Sequence, residues 1–199
     1  MNLQKSYSRI EIDCVDWGVK LLEGKMVNLR VMERDDASLL NDWWNNPEFW
    51  GEYFSPTQRT RAEMEKFLET NPLEYRQFFI EKKDGIKIGC IEHFNVLAPY
   101  GKTLEMGYAL LPSERRKGYC TEAAQIMVDY LFLSKDIVCI QATTDVGNVA
   151  SQRVLEKAGF QKEGTIRKRF FSNGEWKDTV IFSILREEWK EPKVLTRTT

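Results

Sequence analysis

Between Leu104 and Thr143 the chain reads as a strand, helix, strand crossover, and no other segment narrows the possible folds as far. LEMGYALLP is strand-like and SERRKG is a turn. Tyr119 to Leu133 is a helix with Ala123, Ile126, Met127, Tyr130 and Leu131 on a broad apolar face, and Ile137 to Thr143 returns as a buried strand. The turn carries the chemistry. A helix start presents unpaired backbone N–H groups and the positive end of the helix dipole. Gly118, Tyr119, Cys120 and Thr121 can therefore cradle a pyrophosphate, with Arg115, Arg116 and Lys117 beside it.

Elements alternate around this crossover without internal repeats. Met26 to Val31 alternates apolar and polar residues and reads as a strand. Asp35 can cap a helix with Ala37, Leu40, Trp43 and Trp44 on its apolar face, which Pro47 stops. A second helix covers Arg61 to Glu69 and ends near Asn71 and Pro72. Tyr75 to Lys82, Ile86 to Val96 and Thr103 to Leu111 form an antiparallel meander, with Asp84-Gly85 as the first turn. After the crossover, a helix over Ala150 to Ala158 stops at Gly159, and Phe170 to Leu185 is a hairpin turned by Asn173-Gly174. Residues after Lys190 read as a flexible tail.

A chain of 199 residues, 42% hydrophobic, fits one globular domain. Its net charge of −1 lacks the basic footprint of a nucleic-acid binder, so no nucleic-acid partner is expected. Glu11, Asp13, Asp16 and Glu23 interrupt the first thirty residues, which hold neither a signal-peptide centre nor a membrane span. Cys14, Cys90, Cys120 and Cys139 form no CxxC pair, and His93 is the single histidine, so no metal site is expected. The cysteines read as free thiols of a soluble cytoplasmic protein.

LEGKMVNLRVME, NDWWNNPEF, LEMGYALLPSERRKGYCTEAA, NVASQRVLEKAGFQKEG and GEWKDTVIFSILREEW, in this order, resemble the GNAT superfamily of acetyl-CoA-dependent N-acetyltransferases, in its RimJ/RimL-like branch. The resemblance covers Leu22 to Trp189. It implies an α+β fold: a mostly antiparallel twisted sheet of about seven strands with a central splay, flanked by about four helices. Residues 1–21 then form an extension without an assigned role, for which an extra strand, a dimer contact or disorder stay open, and 190–199 the tail. A homodimer stands among the expected partners.

The resemblance also assigns roles. Arg115 to Cys120 matches the family's phosphate turn except that Cys120 fills the last small position. Leu110 and Leu111 would offer backbone groups to the pantetheine arm, and the Leu110 N–H would meet the developing oxyanion. Glu105 is the expected base and Ser151 the expected proton donor to the departing thiolate, because Leu155 stands where many relatives carry a tyrosine. Asn148 would position pantetheine or substrate. A strand histidine such as His93 could serve as a base at neutral pH, and Cys120 as a nucleophile at a helix start, but both read better as structural.

Substrate choice would fall to the segment before the meander. Glu33 to Tyr75 holds ten Asp/Glu against four Lys/Arg, with Trp50, Tyr53 and Phe54 in an irregular stretch after the helix. Trp43 and Trp44 read as core. Acidic and aromatic groups together suit a cationic amine, either a peptide N-terminus or a small polyamine-like or aminoglycoside-like acceptor. The alternative is an acyl-CoA-binding module without turnover.

Overall fold

A computed structural model describes residues 22–55, 57–70, 75–96 and 102–195. The N-terminal extension (residues 1–21), residues 196–199 of the expected tail and the Asn71-Pro72 break expected after the second helix lie outside the described residues.

Among the described residues the segments form five α-helices and eight strands, against about four and about seven expected from the sequence. In chain order these are β1 (Leu22–Glu23), β2 (Val27–Val31), α1 (Ala37–Trp44), α2 (Pro47–Trp50), α3 (Arg61–Thr70), β3 (Tyr75–Lys82), β4 (Lys87–Asn95) and β5 (Thr103–Leu110). They continue with α4 (Tyr119–Ser134), β6 (Cys139–Asp145), α5 (Val149–Ala158), β7 (Gln161–Ser172) and β8 (Glu175–Leu185). The strands lie in the order β1-β2-β3-β4-β5-β6-β8-β7, and every neighbouring pair is antiparallel except β5 with β6. That parallel pair is the product of the α4 crossover, since a helix between strands returns the chain in the same direction.

Helices cover both faces of the sheet. Val27, Leu29, Phe78, Ile80, Leu104 and Met106 pack under α4 and α5, while Phe79 and Cys90 face α1, α2 and α3. This explains why Gln77 to Glu81 is buried without alternation: a strand covered on both sides reads as a continuous run. Trp43 and Trp44 are both buried, stacking and tilting around Phe49.

Three local differences from the sequence reading have physical causes. Pro47 both ends α1 and starts α2, where Asn46 caps the new turn by accepting from the Glu48 N–H at 2.9 Å. Asp35 lies inside a short 3-10 turn, Arg34–Asp36, that Glu33 and Asp36 box, so it is not the cap of α1. Strand β7 begins nine residues before Phe170, because an edge strand with mostly exposed side chains shows little apolar alternation.

Two buried acids on α4 tie distant chain to the core. Glu122 accepts the backbone N–H groups of Lys25, Met26 and Val27, and Asp129 accepts those of Lys193, Val194 and Leu195 plus the Trp189 indole. The segment through Leu195 is thus hydrogen-bonded to the domain, where the sequence suggested a flexible tail from residue 190.

Candidate active site

Strands β5 and β6 pair only at Thr103 to Glu105 against Cys139 to Gln141; from Met106 onward β5 keeps β4 alone. The gap follows from register. Leu111 N–H donates to the Ile88 carbonyl at 2.9 Å, so Leu110, opposite Gly89, turns its own N–H and C=O away from β4 and into the gap. A cleft of roughly 1260 Å³ opens there, lined by β5, the start of α4, one face of α5 and the loop after α2.

The turn before α4 forms one bank. Arg116 (φ 64°) and Gly118 (φ 88°) both adopt the left-handed conformation, which turns successive N–H groups to one side as an anion nest. Thr121 and Glu122 N–H donate to the Gly118 carbonyl, while Tyr119 and Cys120 N–H have no acceptor within the helix. Gly118, Tyr119, Cys120 and Thr121 all line the cleft, so the cradle fits a diphosphate.

The basic triplet divides its labour. Arg116 lines the cleft. The Arg115 guanidinium also borders it but donates to the carbonyls of Leu110, Glu48 and Phe49, clamping α2 to β5. Lys117 pairs with Glu114 at 3.0 Å and is absent from the lining. Arg153 and Lys157, four residues apart on α5, face the cleft from the opposite bank. Sequence reasoning passed over both, although an i, i+4 cationic pair after Asn148 was the available signal.

On α5, the Asn148 side chain caps the helix by accepting the Ser151 N–H at 3.1 Å. The Ser151 hydroxyl lies 3.0 Å from the Tyr108 hydroxyl of β5, bridging the gap between strand and helix. Burial pushes the Tyr108 phenol far above its ordinary value, so it stays protonated. Leu155 is packed in the core.

Two carboxylates share the sheet face towards α1 and α3. Glu105 accepts from Thr143 Oγ1 at 2.7 Å and from Gln141 Nε2 at 2.8 Å, one bond per oxygen, and is not among the cleft-lining residues. Glu92 on β4, which sequence reasoning did not select, does line the cleft.

Trp50, Tyr53 and Phe54 roof the cleft. The Trp50 indole donates to the Trp44 carbonyl, Phe54 stacks on Phe170, and the Tyr53 hydroxyl donates to the Gly147 carbonyl at 3.1 Å. Ser172 and Asn173 of the β7–β8 turn bind the carbonyls of Tyr53 and Glu52. The loop is therefore held to the last hairpin, a contact across some 120 residues that no local pattern announces.

An acetyltransferase (GNAT) domain matches residues 27–161. The chain belongs to the GNAT acetyltransferase family. It is 33% identical to Probable N-acetyltransferase YjcK of Bacillus subtilis (strain 168), over 84% of this chain and 98% of that one. The fold superposes on ribosomal-protein-S5-alanine acetyltransferase from Vibrio fischeri with a TM-score of 0.75 at 22% identity, covering 86% of this chain and 100% of that one. Spermidine N-acetyltransferase from Vibrio cholerae, in complex with CoA and spermine, gives 0.75 at 23%, covering 83% and 99%. The open β5/β6 junction and the Gly118 turn thus belong to a GNAT acetyltransferase.

Within this GNAT fold, Cys120 and His93 are set apart from proton traffic. Burial pushes the Cys120 thiol up to about 12, which keeps it from acting as a thiolate at neutral pH. His93 is fully buried between Phe78 and Tyr130, and burial, with Lys135 and Arg76, pushes it down to about 4. An unfolded histidine titrates near 6.5, so between about pH 6.5 and 4 the unfolded chain binds a proton that the folded one refuses. Stability should fall as pH drops through that window, by at most about 1.4 kcal/mol per pH unit from this group. Urea unfolding at stepped pH should show the slope lessened in His93→Phe; an unchanged slope would assign it elsewhere.

Among the described residues, no helix is long and apolar enough to cross a membrane and no group of three metal-ligating side chains occurs.

Proposed function

We propose that this acetyltransferase moves an acetyl group from acetyl-CoA directly to a primary amine, either a peptide N-terminus or a small cationic amine, with both substrates bound together. The single observation that carries the reading is the gap at Leu110: a backbone N–H aimed into a cleft that continues into the anion nest at Gly118. Acetyl-CoA supplies a thioester-activated acetyl group.

The chain's own residues supply the rest. Gly118, Tyr119 and Cys120 hold the diphosphate through backbone N–H groups and Thr121 lines the same cradle, with Arg116, Arg153 and Lys157 around it. Leu110 and Leu111 present backbone groups along the arm, and the Leu110 N–H stabilises negative charge on the carbonyl oxygen. Asn148, by capping α5, orients that helix along the cleft. Glu105 is the base, reaching the amine through water; its place on β5 two residues from the cleft-lining Gly107 supports that role. Ser151 protonates the thiolate, with Tyr108 holding its hydroxyl. Trp50, Tyr53 and Phe54 form the acceptor's roof.

Leu155, which cannot donate a proton, favours the second reading, a CoA-binding module without turnover. Acetyl transfer to a panel of N-terminal peptides, polyamines and aminoglycosides, run beside calorimetric CoA binding, separates the two: tight binding with no transfer selects the module. In Ser151→Ala, kcat should fall about 10- to 100-fold with CoA affinity within twofold, and Tyr108→Phe should fall less. A normal rate in both would return the thiolate's proton to water.

A further inference from the structure

We propose that Glu92 is the group that receives the acceptor's ammonium, through its Oε1 oxygen. This deepens the acetyl-transfer reading and rests on it for the identity of the bound amine.

The carboxylate is anchored by one oxygen only. Oε2 accepts from the Tyr75 hydroxyl at 2.5 Å and from Gln77 Nε2 at 2.6 Å, and the same Gln77 nitrogen lies 3.0 Å from the Tyr75 hydroxyl. Tyr75 is held in turn between the rings of Phe67 and Phe94. Burial and the Glu92 charge push its phenol well above the ordinary value, so it remains a donor. Among the described residues nothing donates to Oε1.

Gly107 directly opposes Glu92 across the β4/β5 ladder, and a Cβ built there would sit 3.2 Å from Oε1. The missing side chain leaves that oxygen open to the cleft, which both residues line. Gln77 Oε1 is a buried acceptor without a donor in the same cluster. Glu92, Tyr75 and Gln77 together hold more acceptors than donors. An ammonium at the open Oε1 brings N–H donors and a positive charge to the side of the carboxylate that has neither.

Charge is also sorted along the cleft. Its lining carboxylates are Glu92 and Glu52, whereas Arg116, Arg153 and Lys157 gather at the phosphate banks and Arg115 donates to the carbonyls of α2 and β5. One free oxygen suits the point charge of a primary ammonium; a guanidinium fork would ask for two. Glu105 already takes one donor on each oxygen, from Gln141 and Thr143, and does not line the cleft, so it is the less open of the two carboxylates.

The test uses the full chain loaded with CoA, titrated calorimetrically with spermidine and with a short peptide bearing a free N-terminus, alongside steady-state transfer to each. In Glu92→Gln, amine affinity should drop about 30-fold and the amine KM should rise to match, with CoA affinity and kcat within a fewfold. Gly107→Ala, which crowds Oε1, should show a smaller drop in the same direction. Unchanged amine affinity in Glu92→Gln, or no binding of either amine by the original protein, overturns the assignment. Amine binding that Glu92→Gln weakens, without transfer by the original protein, would reject the acetyl-transfer reading and keep Glu92 as the ammonium site.

Discussion

Replacing Glu122 by Ala should remove about 3 to 6 kcal/mol of unfolding free energy, because three backbone donors lose a charged acceptor at once. Glu122 is 6% exposed, and its carboxylate takes the N–H groups of Lys25, Met26 and Val27 at 2.8, 2.7 and 2.8 Å. No water can reach the Val27 donor easily, since Val27 is fully buried. The turn is also pressed hard against the helix: a Cβ at Gly24 would meet Ile126 Cδ1 at 2.6 Å and the Val27 carbonyl at 2.7 Å. Glu122→Gln keeps an acceptor oxygen and should lose roughly half as much. Urea unfolding followed by tryptophan fluorescence reads both values. The loss should reach the cofactor as well, because the Met26 side chain lies beside Gly118, within 3.5 Å of a Cβ built there, so CoA affinity should weaken in the same variant. An Ala variant within about 1 kcal/mol of the original would remove Glu122 as the anchor of β1 and β2.

What could be read from sequence is what depends on neighbours along the chain. The crossover from Leu104 to Thr143 was legible because a period of 3.6 in Tyr119 to Leu133 sits between two short apolar runs. The turn before α4 was legible because its nest is made by consecutive residues. Glu122 and Asp129 were not, since an acid within an apolar helix face looks like an interruption until its backbone donors, up to 97 residues away, are known. Arg115 was legible as a cation but not as a clamp, because its acceptors are carbonyls of α2. Glu92 needed the cross-strand register: only pairing with Gln77 on one side and Gly107 on the other shows one oxygen held and the other open. Strand β7 lacked a signal for the opposite reason, being an edge whose side chains mostly face water.

The register argument makes its sharpest prediction at Gly89. A Cβ there would fall 2.3 Å from the Ala109 carbonyl oxygen, 2.6 Å from Leu110 Cδ2 and 3.0 Å from Leu110 Cα. Two of these atoms are backbone and cannot swing aside, so Gly89→Ala must part β4 from β5 at the residues that line the cleft. The Leu111 to Ile88 hydrogen bond, 2.9 Å long, would lengthen, and with it the direction of the Leu110 N–H would change. Overpacking of this kind should cost about 3 kcal/mol in stability. A displacement of about 1 Å at a group that stabilises developing charge should lower turnover on the order of 100-fold in whatever fraction stays folded. Gly107→Ala provides the contrast on the same two strands. Its added Cβ meets Glu92 side-chain atoms at 3.2, 3.5 and 3.8 Å, which a small rotation relieves, so its stability should fall by less than about 1 kcal/mol while amine binding suffers. Thermal unfolding and single-turnover transfer, measured on both variants, should therefore separate: Gly89→Ala loses stability and chemistry, Gly107→Ala mainly the acceptor. Equal stability losses would mean that β4 and β5 yield as readily at Gly89 as at Gly107, and the backbone at Leu110 would then not be held by that contact.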